Sequence, residues 1–242
     1  MADRSKPKAA AARKPKAVEK HAPGKRAPGK RAAGKRTPGR PLRDAQDLRP
    51  KLLDAAAACF VREGMASASL RAIATEAGVT PALLHYYFGD KAQLQEAFLQ
   101  ERMMPAFAII GGAVQQAGDD VAATVAAFVN GVTEVVRQFP WWPQLWVREV
   151  LCEGGAMRDL LVDRIAPAIP RMMAERFAAA QAQGRLNPDL DPRLLVVSLV
   201  GLTMFPAAGA PIWQRIFDAG DLDAQALRAH TIALLDRGLE CG

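Results

Sequence analysis

The stretch Ser69–Lys91, SLRAIATEAGVTPALLHYYFGDK, constrains the fold more than any other part of the chain, because it requires two short helices to meet across a tight turn. Ser69 can cap the first helix, accepting an otherwise unpaired backbone N–H, and Leu70, Ile73, Ala74 and Ala77 recur at three- and four-residue steps to form one apolar face. Gly78 then ends it, since glycine reaches positive φ without a Cβ clash, and Val79 can tuck back against the preceding turn. Thr80 caps the second helix and Pro81 suits its first position, where no N–H is missed. Two helices joined by a few residues containing Gly form a helix-turn-helix, although the turn alone fits a generic helical corner equally well. The second helix decides between them. Leu84 and Phe88, four apart, point inward and leave Pro81, Ala82, Leu83, His85 and Tyr86 on the sides and outer face. That face has no acid before Asp90, bears polar-tipped aromatics and is followed by Lys91. A surface made for water would carry more charge, whereas this one suits a DNA groove and its phosphates.

A preceding helix is predicted over Asp44–Glu63, with Leu48, Leu52, Leu53, Ala56, Ala57, Phe60 and Val61 at helical spacing and Gly64 closing it. It completes a three-helix unit, and Arg43 and Arg49 near its start are candidates to reach phosphates. Ala77-Gly78-Val79-Thr80, followed by Leu84, Tyr87, Phe88 and Lys91, resembles the DNA-binding domain of the TetR family of bacterial repressors. The resemblance is specific from the first helix through Lys91 and only architectural beyond. It implies DNA contacts from Ser69, Arg71, Thr80, Pro81, Ala82, Leu83, His85, Tyr86, Tyr87 and Lys91, with hydroxyls and Lys91 on phosphates and small apolar residues against base edges. His85 departs from the family pattern, which has a phosphate-contacting tyrosine there.

Charge divides the chain unevenly. Residues 1–43 hold fifteen Lys and Arg against Asp3 and Glu19, a net +13, so the +7 of the whole chain leaves −6 for the remainder. Ala-Pro-Gly-Lys-Arg occurs at 22–26 and 27–31, Ala-Ala-Gly-Lys-Arg at 32–36, and Thr-Pro-Gly-Arg-Pro at 37–41. Like charges with Pro and Gly cannot build a core, so 1–43 is expected to be a disordered basic tail. Its paired cations, Lys25, Arg26, Lys30, Arg31, Lys35, Arg36 and then Arg40, could neutralise phosphates without reading sequence. Gly39-Arg40-Pro41 is similar to the core of an AT-hook, with Pro38 where an arginine usually stands. A merely solubilising tail is the other reading.

The remaining chain shows helical periods and no strand alternation, which predicts an all-α fold: a helix-turn-helix DNA-binding domain over 44–92, then a larger helical regulatory and dimerisation domain over 93–242. Lys91 starts a linking helix with a kink or break at Pro105. Val121–Gln138 reads as amphipathic, Trp141, Trp142 and Trp146 cluster between and beyond Pro140 and Pro143, and a further helix spans Met157–Gln183 with an interruption near Pro167 and Pro170. Met104, Phe107, Phe128, Trp142, Trp146, Met173 and Phe177 offer large soft side chains for an apolar cavity, with Arg148 as a charged group to orient a ligand. Arg137, Arg148 and Glu149 otherwise read as surface residues. The resemblance implies a small-molecule effector in this region without naming it.

Two closing helices are expected over Asp191–Phe205 and Asp223–Leu239. The first is apolar nearly all round and needs cover on both sides, either as a buried core helix or with a second copy supplying part of the cover. The resemblance favours a homodimer through these two helices, whose recognition helices would read a palindromic operator with half-sites about 34–36 Å apart. No apolar run is counted as reaching membrane length, and the basic N-terminus lacks the apolar segment of a signal peptide, so a cytoplasmic protein without membrane contact is expected. Cys59, Cys152 and Cys241 are too scattered for a disulfide framework, and His21, His85 and His230 for a metal or catalytic cluster. No P-loop, GxSxG or GxGxxG is present, so neither an enzyme nor a bound cofactor is expected. The competing class is a nucleoid-type protein that coats DNA through its tail.

Overall fold

The computed structural model describes residues 45–160 and 168–236; these are helices and their connections, with no strand among the described residues. The predicted tail 1–43, Arg43, and the end of the last predicted helix at 237–239 lie outside them. Helix α1, Ala45–Glu63, buries Leu52, Leu53, Ala56, Ala57 and Phe60. Gly64 ends it at φ +88°, donating from its N–H to the Phe60 carbonyl at 2.9 Å.

Helix α2, Leu70–Glu76, starts where the Ser69 side chain accepts from the Ala72 N–H at 3.1 Å. Gly78 at φ +68° turns the chain, and the Val79 N–H closes the turn on the Ala74 carbonyl at 2.9 Å. Helix α3, Pro81–Phe88, is capped by Thr80, whose Oγ1 accepts from the Leu83 N–H at 3.3 Å. Helix α4, Lys91–Phe98, is capped by Asp90. Ile73, Ala74, Leu84, Phe88, Leu94 and Phe98 close over α1, and Phe60 meets Phe98 edge-on with ring centroids 5.1 Å apart. The local signals of the turn and its caps therefore fold as predicted.

Of the kink or break expected at Pro105, the break does not occur: the chain runs from α4 through a π turn, Leu99–Met103, into α5, Met104–Gln116. Pro105 has no N–H for the Glu101 carbonyl four residues back, and Arg102 Nη1 donates to that carbonyl at 3.2 Å instead. The wider turn shifts the inward phase by one residue: Leu94 and Phe98 are buried before it, Leu99 and Met103 within it, and Ala106, Ile110 and Val114 after it.

A second helical layer continues the same core. Helix α6, Val121–Gln138, packs against α5, and Gly131 permits the approach, since a Cβ there would stand 3.0 Å from Ile110 Cα. Helix α7, Trp142–Trp146, passes into a second π turn, Val147–Leu151; then follow the single turn α8, Arg158–Leu160, α9, Ala168–Ala182, α10, Pro192–Ile216, and α11, Ala224–Asp236. Helix α6 lies against α9, α10 and α11 as well as α5. One buried cluster runs from Leu52 to Leu235, so no gap in the core marks the predicted boundary at residue 92.

Helix α10 corrects one expectation. It has 25 residues and carries no charge from Leu194 to Trp213, long and apolar enough to cross a membrane by length and composition. Leu195, Val196, Leu199, Thr203 and Met204 are buried, while Leu194, Val197, Phe205, Ile212 and Ile216 are each more than three-fifths exposed. The exposed positions fall at helical spacing and form a single stripe along the helix.

Candidate nucleic-acid interface and ligand cavity

The inward anchoring of α3 by Leu84 and Phe88 fixes which residues face out. Pro81, Ala82, His85 and Tyr86 are exposed, Tyr86 at 82 %, while Leu83 and Tyr87 are half-buried between the outer face and the core. No carboxylate lies on α3. His85 Nδ1 lies 2.5 Å from the Gly89 carbonyl, which a protonated Nδ1 donates to, so Nε2 is left for an outside partner. The ring thereby closes the C-terminal end of α3, where a carbonyl would otherwise lack a donor.

Lys91 is half-buried and donates from Nζ to the Ala66 carbonyl at 2.6 Å, tying the start of α4 to the loop between α1 and α2. Its ammonium keeps further donors beyond that bond. Ser69 and Arg71 are exposed and line a concave surface with Arg62, Ala72, Thr75 and Glu76. Arg62 bonds Glu63 at 3.0 Å and Glu76 at 3.1 Å, and these carboxylates raise its pKa. All ten predicted DNA-facing residues thus belong to one helix-turn-helix and the turns at its edges.

Arg49, predicted to reach phosphate, is placed otherwise. Its guanidinium bonds the Glu101 carboxylate, with Nη2 at 2.5 Å, donates from Nη1 to the Tyr87 carbonyl at 3.1 Å and lies 4.6 Å from the Phe88 ring centroid. The hydrogen bond to Glu101 holds the Arg49 pKa above its usual value. Beside it, Arg102 Nε donates to Asp54 Oδ1 at 3.0 Å and Arg102 Nη2 to the Pro50 carbonyl at 2.9 Å. The first π turn therefore grips α1 with one acid and one base, and through Arg49 it reaches the end of the recognition helix. Partners separated by about fifty positions leave no periodic signal in the sequence.

Glu149, read as a surface residue, is 3 % exposed. Its Oε1 accepts from the Met65 N–H at 2.8 Å and its Oε2 from the Ala156 N–H at 2.9 Å. Two backbone donors offset the desolvation of a carboxylate that would otherwise be prohibitive to bury. Gly155 makes the arrangement possible: a Cβ there would stand 2.2 Å from the Glu149 carbonyl oxygen. The second π turn is thus bonded directly to the loop between α1 and α2.

A cavity of 80 Å³ lies among α5, α6, α7, α9 and α10. Four predicted residues, Phe107, Phe128, Trp142 and Trp146, line it together with Ile110, Val132, Ile169, Pro170, Val200 and Met204. The other four do not. Met104 is 38 % exposed, one position past Met103, which the π turn carries inward. Met173 and Phe177 are fully buried in the closed core, and the first turn of α9 reaches the cavity instead. Arg148, two positions past Trp146, cannot share its helical face; its Nη1 donates to the Val61 carbonyl near the end of α1 at 3.4 Å. A separate cavity of 130 Å³ lies among α6, α10 and α11, with Thr203, Trp213, Arg228 and Thr231 in its wall.

Residues 52–98 match the model of a family described as bacterial regulatory proteins, tetR family, over the segment from the α1 core to the end of α4. The HTH-type transcriptional regulator SrpR of Pseudomonas putida is 36 % identical over 153 residues, covering 61 % of this chain and 68 % of SrpR. UidR of Escherichia coli K12, also an HTH-type transcriptional regulator, is 27 % identical over 164 residues, covering 66 % of this chain and 80 % of UidR. Among solved structures, the ketosteroid transcriptional regulator KstR2 of Mycobacterium tuberculosis superimposes with a TM-score of 0.63 at 19 % identity, covering 80 % of this chain and 95 % of KstR2. FadR of Bacillus subtilis, solved with stearoyl-CoA, gives a TM-score of 0.56 at 16 % identity, covering 79 % of this chain and all of FadR. These relatives are regulators and not enzymes, and the two solved structures share the fold. With the family match on the helices that form the turn and its core, and SrpR alike over two thirds of its length, the chain belongs to the TetR family of bacterial transcriptional regulators.

Proposed function

We propose that the protein is a homodimeric repressor that binds a palindromic operator and is released from it by a small apolar effector. The observation that carries the reading is the outer face of α3, exposed and free of carboxylates on a helix whose opposite face is locked into the core. Residues 44–92 are the reading unit. Ser69, Arg71, Thr80, Tyr86, Tyr87 and Lys91 would hold phosphates, Pro81, Ala82 and Leu83 would meet base edges, and His85 lies exposed on the same surface. Residues 93–242 regulate and dimerise. The exposed stripe of α10 supports the dimer: a contiguous apolar surface on a helix of this length calls for a partner, and a second copy offers the same stripe by two-fold symmetry. Working on operators places the protein in the cytoplasm, and the tail adds sequence-independent affinity.

The effector reading rests on the 80 Å³ cavity, and the stearoyl-CoA bound by FadR is a precedent for a ligand in this fold. Occupancy would favour one of two dimer geometries and move the recognition helices off their half-site spacing. Two routes lead from the cavity toward the helix-turn-helix: Phe107, through the first π turn to Arg49 and the Tyr87 carbonyl at the end of α3, and Trp146, through the second π turn to Glu149 and Met65 in the loop before α2. Selection of bound duplexes from a random-sequence pool should enrich a palindrome with half-sites about one helical turn apart. Recovery of no shared sequence would overturn the reading.

A further inference from the structure

The imidazole of His85 is held in one orientation on the outer face of α3, in the last turn of the helix, and is exposed. Its Nδ1 is bonded to the Gly89 carbonyl, and the Gly89 N–H returns a bond to the His85 carbonyl at 2.8 Å. Gly89 reaches this geometry at φ +72°, where a side chain is disfavoured. A carbonyl oxygen only accepts, so Nδ1 carries the hydrogen. That fixes the polarity of Nε2, to which no described residue bonds. In the neutral ring Nε2 offers a lone pair and nothing else; in the imidazolium it is a donor.

What Nε2 meets on DNA follows from its place on the helix. In a helix-turn-helix the N-terminal residues of the second helix approach base edges, whereas His85 stands in the last turn of α3, beside Tyr86, Tyr87 and Lys91. The partner there is a phosphate oxygen, an acceptor that cannot bond a lone pair. Contact therefore requires the ring to take a proton from solvent onto Nε2. Among the described residues no carboxylate holds that proton: α3 has none, Glu76 of α2 bonds Arg62, Asp90 caps α4 through the Gln93 N–H, and Glu96 accepts from Gln100. The nearby cations are also placed elsewhere, Lys91 on the Ala66 carbonyl, Arg49 on Glu101, and Arg71 along the concave surface with Glu76. We infer that His85 holds a DNA phosphate only as an imidazolium, so that each recognition helix takes up one proton when it binds. The inference rests on α3 being the recognition helix and adds which of its contacts depends on pH. Imidazole is the side chain that ordinarily changes charge between pH 5 and 8. The DNA-bound form holds more protons than the free form, so affinity is gained as pH falls and lost as pH rises, by up to about tenfold per pH unit for each proton.

The test uses the full-length protein, the palindromic duplex recovered by selection and a scrambled duplex of the same length, at fixed salt. From pH 6 to pH 8 the wild type should lose at least about tenfold more affinity than His85→Tyr, whose hydroxyl donates at both pH values, and His85→Tyr should bind more tightly than the wild type at pH 8. His85→Phe should share the flatter profile and be weaker than the wild type at pH 6. Comparing the proteins cancels the contributions of His21 and His230, which all three contain. The extra loss should be the same on both duplexes, because phosphate contacts do not read sequence. A readout independent of the variants is the side-chain ¹H–¹⁵N spectrum of the wild-type ring. It should show the Nδ1–H tautomer in the free protein at pH 8 and both nitrogens protonated on the duplex at pH 7. Equal pH profiles for the wild type and His85→Tyr, an Nε2–H tautomer in the free protein, or a neutral ring in the complex would overturn the inference while leaving α3 as the recognition helix. Recovery of no palindrome would overturn the recognition-helix reading and this inference together.

Discussion

Individual residues in this chain do their work through backbone geometry as much as through contacts. Gly155 and Gly78 separate the two cases. A Cβ at Gly155 would fall on the Glu149 backbone, 2.2 Å from its carbonyl oxygen, whereas a Cβ at Gly78 meets nothing within 4 Å and only the φ of +68° resists it. Gly78→Ala should therefore cost about 1–2 kcal/mol in urea denaturation, and Gly155→Ala more, because a backbone segment has to move. Leu84 and Tyr86, two positions apart, should divide stability from binding. Leu84→Ala empties a fully buried site and should cost about 2–5 kcal/mol, while Tyr86→Ala, at 82 % exposure, should change stability by less than about 0.5 kcal/mol and weaken operator binding in a mobility-shift titration. The inward placement of Leu84 and the outward placement of Tyr86 were legible in the sequence because they follow from three- and four-residue spacing. The tasks of Arg49 and Glu149 were not. Their partners, Glu101 and Met65, lie 52 and 84 positions away, and nothing local distinguishes a guanidinium bound for phosphate from one bound for a carboxylate.

Among the elements, the two π turns carry most of what helical periodicity could not show. A wheel drawn straight on from Leu94 and Phe98 places Arg102 inward; the extra residue in Leu99–Met103 turns Met103 inward instead and brings Phe107 to the cavity. The second, Val147–Leu151, holds Glu149 against the Met65 and Ala156 N–H groups. Glu149→Ala should leave two buried donors unpaired and cost about 1–3 kcal/mol for each. Glu149→Gln keeps one acceptor and should fold better while losing part of the coupling, so that a cavity ligand releases less DNA from the variant than from the wild type. Equal release would exclude this route. Helix α6 carries a titratable clamp in its last turns, where Arg137 and then Gln138 bond Glu134 and hold its pKa down to about 2 from an ordinary 4.5. A carboxylate stabilised in its charged form contributes fully above the ordinary value and loses that contribution as pH falls through the folded one. Melting temperatures of the wild type and Glu134→Gln should therefore differ above pH 4.5 and converge as pH falls toward 2.

At the scale of the whole molecule, the exposed stripe of α10 and the basic tail divide the account between assembly and affinity. Val197 and Phe205 are 64 % and 74 % exposed on that stripe, and placing glutamate at both should convert a dimer to monomers in sedimentation velocity while leaving the helical circular dichroism intact. The apolar character of this helix was legible in the sequence, but its division into a buried and an exposed side was not, since it depends on where α6, α9 and α11 pack. The tail's charge was equally plain, and its role is decided by competition rather than by structure. Paired cations at 25–26, 30–31 and 35–36 would add phosphate contacts, steepening the salt dependence of binding without choosing a sequence. The direct measurement is therefore duplex selection and salt titration on the full chain and on the chain lacking residues 1–43. Both should select the same palindrome, with the shortened chain binding more weakly overall and with a shallower salt slope. Loss of the shared sequence when the tail is removed would contradict the account and assign recognition to the tail.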